Sequence, residues 1–223
     1  MRFLRENSLG VFFLVLFLGT LAAQSFAGQH AYNAEQVQHG EAAVSWARYL
    51  VTSDFGQAVL ENWQSEFLQF AVFILATIWL VQKGSNESKE LDQVGLESDQ
   101  RQRVKGYAPA NAPAWAKLDG FRLWLLSNSL LLVMTAIFLA SWLVHSLTGW
   151  NTYNDEEVAH GGEPVAWTTY LANPRFWEET LQNWQSEFLA VGVMAVFTIY
   201  LRQRGSPESK PVGAPNDETA SSG

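Results

Sequence analysis

The chain has 223 residues, no cysteine and a formal net charge of −8 at pH 7. The missing cysteines exclude disulfides, thiolate metal sites and cysteine nucleophiles. The acidic balance argues against a nucleic-acid partner, which requires a basic surface. Mean hydropathy is near zero, but this average mixes very polar stretches with four apolar segments. In chain order, these segments are 9–23, 67–81, 123–144 and 188–201.

The apolar segments predict four transmembrane helices, because a spanning helix needs about 20 largely apolar residues. With their flanking turns, the spans cover about 8–27, 61–82, 123–146 and 182–203. Aromatic residues lie near both ends of the second and fourth spans, as is typical of a membrane interface. A water-soluble helical core is the alternative, but the chain has too few polar helix faces to cover four such segments. We therefore expect an all-α membrane protein.

One heptapeptide, Asn-Trp-Gln-Ser-Glu-Phe-Leu, occurs at 62–68 and again, unchanged, at 183–189. The offset between the copies is 121 residues. With this offset, residues 7–89 align without gaps to 128–210, and 36 of the 83 aligned positions are identical. Chance would give about five or six identities, so the pattern predicts an internal duplication.

The duplication divides the chain into two tandem repeats, each with two helices joined by an outer segment. The first repeat covers 1–89 and the second covers 122–210. Residues 90–121 are polar and contain prolines, which predicts a disordered cytoplasmic linker. Residues 211–223 are similar and are expected to form a disordered tail.

The N-terminus resembles a secretory signal, because Arg2 and Arg5 precede an apolar run and Ser25-Phe26-Ala27 precedes Gly28. The repeat argues against cleavage. The third apolar segment is the counterpart of the first, and it lies in the middle of the chain, where no signal peptide is found. We therefore expect the first segment to be retained as a helix.

Basic residues predict the orientation. Of 14 Lys and Arg residues, only Arg48 and Arg175 lie in the segments 28–61 and 149–182. Because Lys and Arg concentrate on the cytoplasmic side, both termini and the linker should lie inside, and these two segments outside. Each repeat then crosses the membrane an even number of times, so both repeats point the same way. This differs from the inverted repeats of many transporters.

The outer segments carry helix start and stop signals. Asn33 and Asn154 are predicted to cap a short helix, and Gly40 and Gly161 suit the left-handed residue that ends it. The apolar residues of 43–50 recur at helical spacing, which predicts a short interfacial helix in each repeat.

Glu66 and Glu187, one turn inside the heptapeptide tryptophans, are the main candidate binding residues. Asn62 and Asn183 share their helical faces. An ionisable residue in a membrane segment is by default a functional-site hypothesis, so we consider a site for a proton, a cation or a substrate. The alternative is that these carboxylates lie at the interface and pack two helices together, and a further one is a partner-binding role.

A second hypothesis concerns a metal. Glu35 and His39 stand at i and i+4, as do Glu156 and His160, and two such pairs across a twofold axis would give four ligands. The alternative is a capped surface helix in each repeat whose histidine hydrogen-bonds locally. His145, near the outer end of the third span, is interpreted as an interfacial residue.

The duplicated heptapeptide, the paired Tyr-Asn at 32–33 and 153–154 and the Gly-Ser-x-Glu-Ser-Lys exits at 84–89 and 205–210 together resemble a known family. We call these last two segments the exit turns. The family is a bacterial one of small integral membrane proteins, catalogued only as a domain of unknown function. The resemblance implies a four-helix bacterial membrane protein, and we expect it in the inner membrane. It carries over no substrate, cofactor or catalytic residue.

These patterns favour a non-enzymatic membrane protein, because no nucleophile–base constellation is visible. We expect no catalytic residue and no cofactor. The leading hypothesis is that the protein binds or passes an ion, a small solute or a lipid at its outer face. The alternative is a structural or partner-docking protein without transport activity. Membrane lipids are the expected partners. A pore would require a homo-oligomer, because four helices form a thin wall.

Overall fold

The computed structural model describes residues 2–220 of the chain. Within this range every regular element is helical, which confirms the all-α class. The α-helices are α1 (Arg2–Glu6), α2 (Ser8–Gln38), α3 (Trp46–Tyr49), α4 (Ser53–Trp79), α5 (Phe121–Ser127), α6 (Ser129–Ala159), α7 (Trp167–Tyr170) and α8 (Pro174–Tyr200).

Equivalent helices of the two repeats begin and end at equivalent residues. The bounds of α6, α7 and α8 each lie 121 positions after those of α2, α3 and α4. Even the breaks before the long helices correspond. Asn7 follows α1 and donates its side-chain amide to the Phe3 carbonyl at 2.8 Å, and Asn128 does the same to the Trp124 carbonyl at 2.8 Å. Identical residues at the same offset therefore produce the same local structure.

Two helices, α2 and α6, are long and apolar enough to cross a membrane. Four such helices were predicted. In α4 and α8 the polar Asn-Trp-Gln-Ser-Glu stretch lies inside the helix, and both helices end just before an apolar residue, Leu80 or Leu201. The helical apolar stretch that remains is consequently shorter than the one in α2 or α6.

The short helix predicted to begin at Asn33 is wrong, because α2 continues unbroken through this residue to Gln38. The Asn33 side chain binds the backbone of Val44 instead of capping a helix. It donates to the Val44 carbonyl at 2.9 Å and accepts from the Val44 N–H at 2.8 Å. Asn154 makes the same pair of bonds to Val165, at 3.1 and 2.8 Å.

The predicted ends of these helices are confirmed. Gly40 and Gly161 have φ angles of +79° and +80°, the left-handed conformation that glycine adopts without steric cost. The short helices predicted to follow are present as single turns of four residues, α3 and α7. Only three residues separate each short helix from the next long helix, so the short helix is limited to one turn.

The chain divides into two compact units. Unit 1 comprises the residues up to Leu60 together with Val144–Tyr170, and unit 2 comprises Glu61–Leu143 together with the residues from Leu171 onward. Unit 1 thus contains α1 to α3, the first turns of α4, the end of α6, and α7. Unit 2 contains both heptapeptides, the linker and both exit turns.

Unit 1 is built around two equivalent tyrosines, Tyr49 and Tyr170, which are 2% and 1% exposed. Each packs against a glycine of the long helix of its own repeat. A Cβ atom added at Gly28 would overlap the Tyr49 hydroxyl, and one added at Gly149 would overlap the Tyr170 hydroxyl. The glycines therefore allow the tyrosine rings to lie directly on α2 and α6.

The tryptophans of α3 and α7 attach the same segments to the long helices. Trp46 donates its indole N–H to the Ser25 hydroxyl at 3.0 Å, and Trp167 donates to the Ser146 hydroxyl at 3.2 Å. Both serines are nearly fully buried. Together with the asparagine–valine bonds, these contacts hold each outer segment against its helix at equivalent positions.

In unit 2, the linker 90–121 contains three 3-10 helices, Leu91–Gln93, Lys105–Tyr107 and Ala114–Lys117. They are separated by turns, and the last one precedes α5. The disorder expected for this segment and for 211–223 stays a prediction.

Candidate functional site

Within unit 2, the two heptapeptide copies join α4 to α8 through hydrogen bonds. Asn183 donates its side-chain amide to Glu61 Oε1 at 2.7 Å, and Trp184 donates its indole N–H to Gln64 Oε1 at 2.7 Å. Gln64 has no exposed surface. A buried amide needs hydrogen-bond partners, and the tryptophan of the other copy supplies one.

The remaining polar groups of the motif bind their own helices. Gln64 Nε2 donates to the Glu61 carbonyl at 3.1 Å. Ser65 donates to the Asn62 carbonyl at 2.9 Å, and Ser186 donates to the Asn183 carbonyl at 2.8 Å. Of these side chains, Gln64 and Asn183 join the two helices, whereas Ser65 and Ser186 bind within their own helix.

The two candidate glutamates lie near each other. Glu66 is exposed, Glu187 is half-buried, and the charge of Glu66 acts on Glu187. The asparagines are not placed alike. Asn62 is exposed, whereas Asn183 is half-buried and directed to Glu61. The structure therefore places Glu66 within electrostatic range of Glu187, without a symmetric pair of asparagines.

The sequence interpretation missed Glu61, the carboxylate that accepts from Asn183. It directly precedes the first heptapeptide, and its equivalent in the second repeat is Gln182. Glu61 lies outside the identical motif because it differs between the repeats. The alignment of a carboxylate, Glu61, with an amide, Gln182, was the signal that could have identified it.

The four-ligand metal arrangement stays a prediction. The rings of His39 and His160 meet edge to face, with centroids 6.2 Å apart, but residues 2–220 contain no group of three or more His, Asp or Glu side chains that could hold a metal ion. The long helices end at Gln38 and Ala159, yet each histidine keeps the helical backbone bond to its glutamate. The His39 N–H donates to the Glu35 carbonyl at 3.1 Å, and the His160 N–H donates to the Glu156 carbonyl at 3.0 Å. His160 Nδ1 lies 2.7 Å from the Glu156 carbonyl and hydrogen-bonds to it.

His145, interpreted as an interfacial residue, is instead fully buried. The next residue, Ser146, is 2% exposed and accepts the hydrogen bond from Trp167. The single-turn helix α7 therefore covers this part of α6. The bond between Trp167 and Ser146 joins residues 21 positions apart, so the pattern of α6 alone did not indicate it.

Tyr49 and Asp54 form the main polar contact of the first outer segment. The tyrosine hydroxyl donates to Asp54 Oδ2 at 3.0 Å. Burial, followed by the negative charge of Asp54, raises the pKa of Tyr49 well above its usual value. Burial and the Asp54 charge also raise the pKa of Tyr32, whose ring packs on Tyr49. The second repeat has Arg175 at the position of Asp54, so the two outer segments differ in charge here.

The exit turns after α4 and α8 are closed by equivalent hydrogen bonds. The Ser88 hydroxyl accepts from the Gln82 N–H at 2.9 Å, and the Ser209 hydroxyl accepts from the Gln203 N–H at 2.8 Å. Both serines then donate to the carbonyl of the following lysine. The duplicated sequence of these turns thus encodes a local structure.

The glutamates of the two exit turns meet each other. Glu87 and Glu208, which are 121 residues apart, have side chains within hydrogen-bonding reach, and burial together with the charge of Glu208 raises the pKa of Glu87. The adjacent lysine does not neutralise them. Lys89 donates to the Gly95 carbonyl at 2.9 Å and pairs with Glu97 at 3.3 Å.

The sequence of this chain matches the family described as "Domain of unknown function (DUF6766)" over residues 1–221. The chain belongs to this family. The match confirms the resemblance to an uncharacterised family that the repeated motifs indicated. No curated protein and no solved structure matches the chain. The family description assigns no ligand or reaction.

Proposed function

We propose that the chain is a non-enzymatic integral membrane protein that crosses the membrane four times. The observation that carries this proposal is the exposure of the apolar helices. Only 6% of the most apolar window of α2 and 17% of that of α6 is buried inside the protein. A helix in the core of a water-soluble protein would be mostly buried, and large exposed apolar patches mark interaction with another apolar phase. Lipid is the surrounding that fits a helix apolar on nearly all sides.

The same reasoning supports crossings by α4 and α8. Each has 27 residues, or about 40 Å at helical rise, which exceeds a hydrocarbon core of about 30 Å. Past the heptapeptide, both helices expose large apolar and aromatic side chains. On α4 these are Phe70, Val72, Leu75 and Trp79, and on α8 they are Val193, Met194, Val196, Phe197 and Tyr200.

The proposed placement is the plasma (inner) membrane of a bacterial cell, with both termini in the cytoplasm. It rests on the distribution of Lys and Arg residues. The equal helix bounds at an offset of 121 support two duplicated hairpins of the same orientation. An even number of crossings per repeat follows from that orientation, and membrane lipids are then the constant partners.

Within this protein the heptapeptide fastens α4 to α8. The bonds Asn183–Glu61 and Trp184–Gln64 support this role. Hydrogen bonds between polar side chains join helices in membranes, where apolar surface alone gives little preference for one neighbour over another. The duplication of the motif then gives both α4 and α8 the polar side chains of this contact.

A second candidate role is the binding of a cation or small polar solute at the outer face by Glu66 and Glu187. The proximity of the two carboxylates supports it, because a cation between two like charges relieves their repulsion. Passage of such a solute would require a homo-oligomer. The structural role needs neither a solute nor a pore.

The double substitution Glu66→Gln with Glu187→Gln separates these roles. The solute role predicts that cation or proton flux in proteoliposomes falls while the protein stays folded and monodisperse. The structural role predicts unchanged flux, and predicts that Gln64→Ala, which leaves both glutamates in place, impairs assembly.

Membrane crossing itself is tested by extraction. The protein is expected to stay in the membrane pellet after an alkaline carbonate wash and to be released by detergent. Release by carbonate alone would contradict integral insertion.

A further inference from the structure

Unit 2 contains a cavity of about 320 Å³ beside the exit turn of the first repeat. Its walls are mostly apolar and come from α4 and α8, with Phe73, Val191 and Ala195 among the lining residues. Its other end is polar and includes Ser85 and Glu87. The cavity is partly open to the surroundings, so a ligand can enter without a rearrangement of the fold.

The size and lining of this cavity are those of a small-ligand site. Such sites begin at about 300 Å³ and combine apolar walls with a few convergent polar groups that orient the ligand. Here the apolar lining residues lie on the helices, and the polar ones lie mainly at the exit turn. An elongated molecule with one polar end matches this arrangement.

The serines at the polar end are already engaged. Ser88 accepts from the Gln82 N–H and donates to the Lys89 carbonyl. Ser85 accepts from the Glu87 N–H at 3.3 Å and shares a hydrogen bond with Thr198 at 3.4 Å. The Glu87 carboxylate is therefore the group of this lining that carries charge, and Glu208 adds a second carboxylate beside it.

The lysines of the two exit turns, Lys89 and Lys210, are directed elsewhere. Lys89 is held by Gly95 and Glu97. Lys210 is 1% exposed and donates its ammonium group to three carbonyls of the C-terminal segment. These acceptors are Pro215, Asn216 and Glu218, at 3.1, 3.0 and 3.1 Å. The two glutamates thus present negative charge at the end of an apolar cavity.

We propose that this cavity binds an amphiphile with a single amino or ammonium head group. The head binds at Glu87 and Glu208, where a charge-assisted hydrogen bond or ion pair compensates two carboxylates. The alkyl chain lies along the apolar wall formed by α4 and α8. A neutral or anionic head lacks this compensation, so the site selects for positive charge at the head.

Such an amphiphile has two sources, an ethanolamine head on a membrane lipid or a free alkylamine. The two share the chemistry that the cavity recognises. The proposal goes beyond the four-crossing function and does not depend on it, because every residue that it uses lies in unit 2. Failure of the extraction test would leave it standing.

The test uses the full chain in maltoside detergent and native mass spectrometry. One arm offers phosphatidylethanolamine and phosphatidylglycerol with the same acyl chains, and the other offers dodecylammonium. We expect retention of the amine-bearing molecule over phosphatidylglycerol. Retention of phosphatidylethanolamine identifies a lipid source, and retention of dodecylammonium alone identifies a free amine.

Two variants probe the two ends of the cavity. Glu87→Gln keeps the shape and removes the charge, and it should weaken amine binding about tenfold, the loss expected for one charged contact. Ala195→Leu fills the apolar end and should lower binding of any amphiphile. Glu90→Gln changes an exposed glutamate outside the lining and serves as the matched control.

Equal retention of phosphatidylglycerol, or unchanged amine binding by Glu87→Gln, would overturn the choice of a cationic head. Unchanged binding by Ala195→Leu would overturn the cavity as the site. Thermal melting of each variant distinguishes a loss of binding from unfolding. The two substitutions lie on different elements, so each tests the proposal independently of the other.

Discussion

Trp184 donates its indole N–H to the side chain of Gln64 at 2.7 Å, which joins the two copies of the heptapeptide at different positions of the motif. Gln64 is fully buried, whereas its equivalent, Gln185, is exposed. Identical residues therefore have different surroundings. One difference next to the motif is that Glu61, which binds Asn183, has Gln182 as its counterpart.

This asymmetry predicts unequal effects of the same substitution in the two copies. Gln64→Ala should lower the free energy of unfolding by about 1–2 kcal/mol, because it removes an interhelical bond and leaves the Trp184 N–H without its acceptor. Gln185→Ala is the matched control and should have little effect. The measurement is unfolding in detergent by titration with a denaturing detergent. Equal effects of the two substitutions would contradict the asymmetric joint.

Gly28→Ala should destabilise unit 1, because the added methyl group overlaps the Tyr49 hydroxyl. Overpacking of this kind costs about 1–3 kcal/mol. Gly10→Ala, on the same helix, has no atom within 4 Å of the new Cβ and is the control. Adding Tyr49→Phe to Gly28→Ala removes the overlapping oxygen and should recover part of the loss. The measurement is the melting temperature of the parent protein and the three variants, followed by tryptophan fluorescence. No difference between the two glycine variants would argue against this packing.

The Glu87–Glu208 contact predicts a pH effect on stability. The pKa of Glu87 in the folded protein lies above its ordinary value of 4.5. The stabilisation of the folded state by protonated Glu87 is therefore present below about pH 4.5 and is lost as pH rises through the raised pKa. Without an amine ligand, Glu87→Gln should therefore raise the melting temperature relative to the parent protein more at pH 7.5 than at pH 4.5. Glu90→Gln should show no such difference between the two pH values. A Glu87→Gln effect that does not change with pH would count against the contact.

The sequence predicted features that depend on local pattern. The apolar segments indicated helices, and Gly40 and Gly161 marked the ends of α2 and α6 through their need for a left-handed backbone. The sequence failed where a distant partner decides. Asn33 reads as a cap, yet Val44 satisfies its side chain within a continuous helix.

The candidate site followed the same rule. Glu66 and Glu187 were selected because each is an ionisable residue in a predicted membrane segment. Glu61 and the contact between Glu87 and Glu208 were not found, because each depends on how α4 and α8 pack in unit 2. Spacing along one helix carries no information about that packing.

The number of crossings is the central claim, and single-cysteine labelling tests it most directly, because the chain has no cysteine of its own. Cysteine would replace Glu41, Gln100 or Glu163, one exposed residue in each connecting segment. Four crossings predict that an impermeant thiol reagent labels positions 41 and 163 from outside in intact cells, and labels position 100 only after permeabilisation. If α2 and α6 alone cross the membrane, position 100 is labelled from outside and position 163 is protected, and that result would contradict the account.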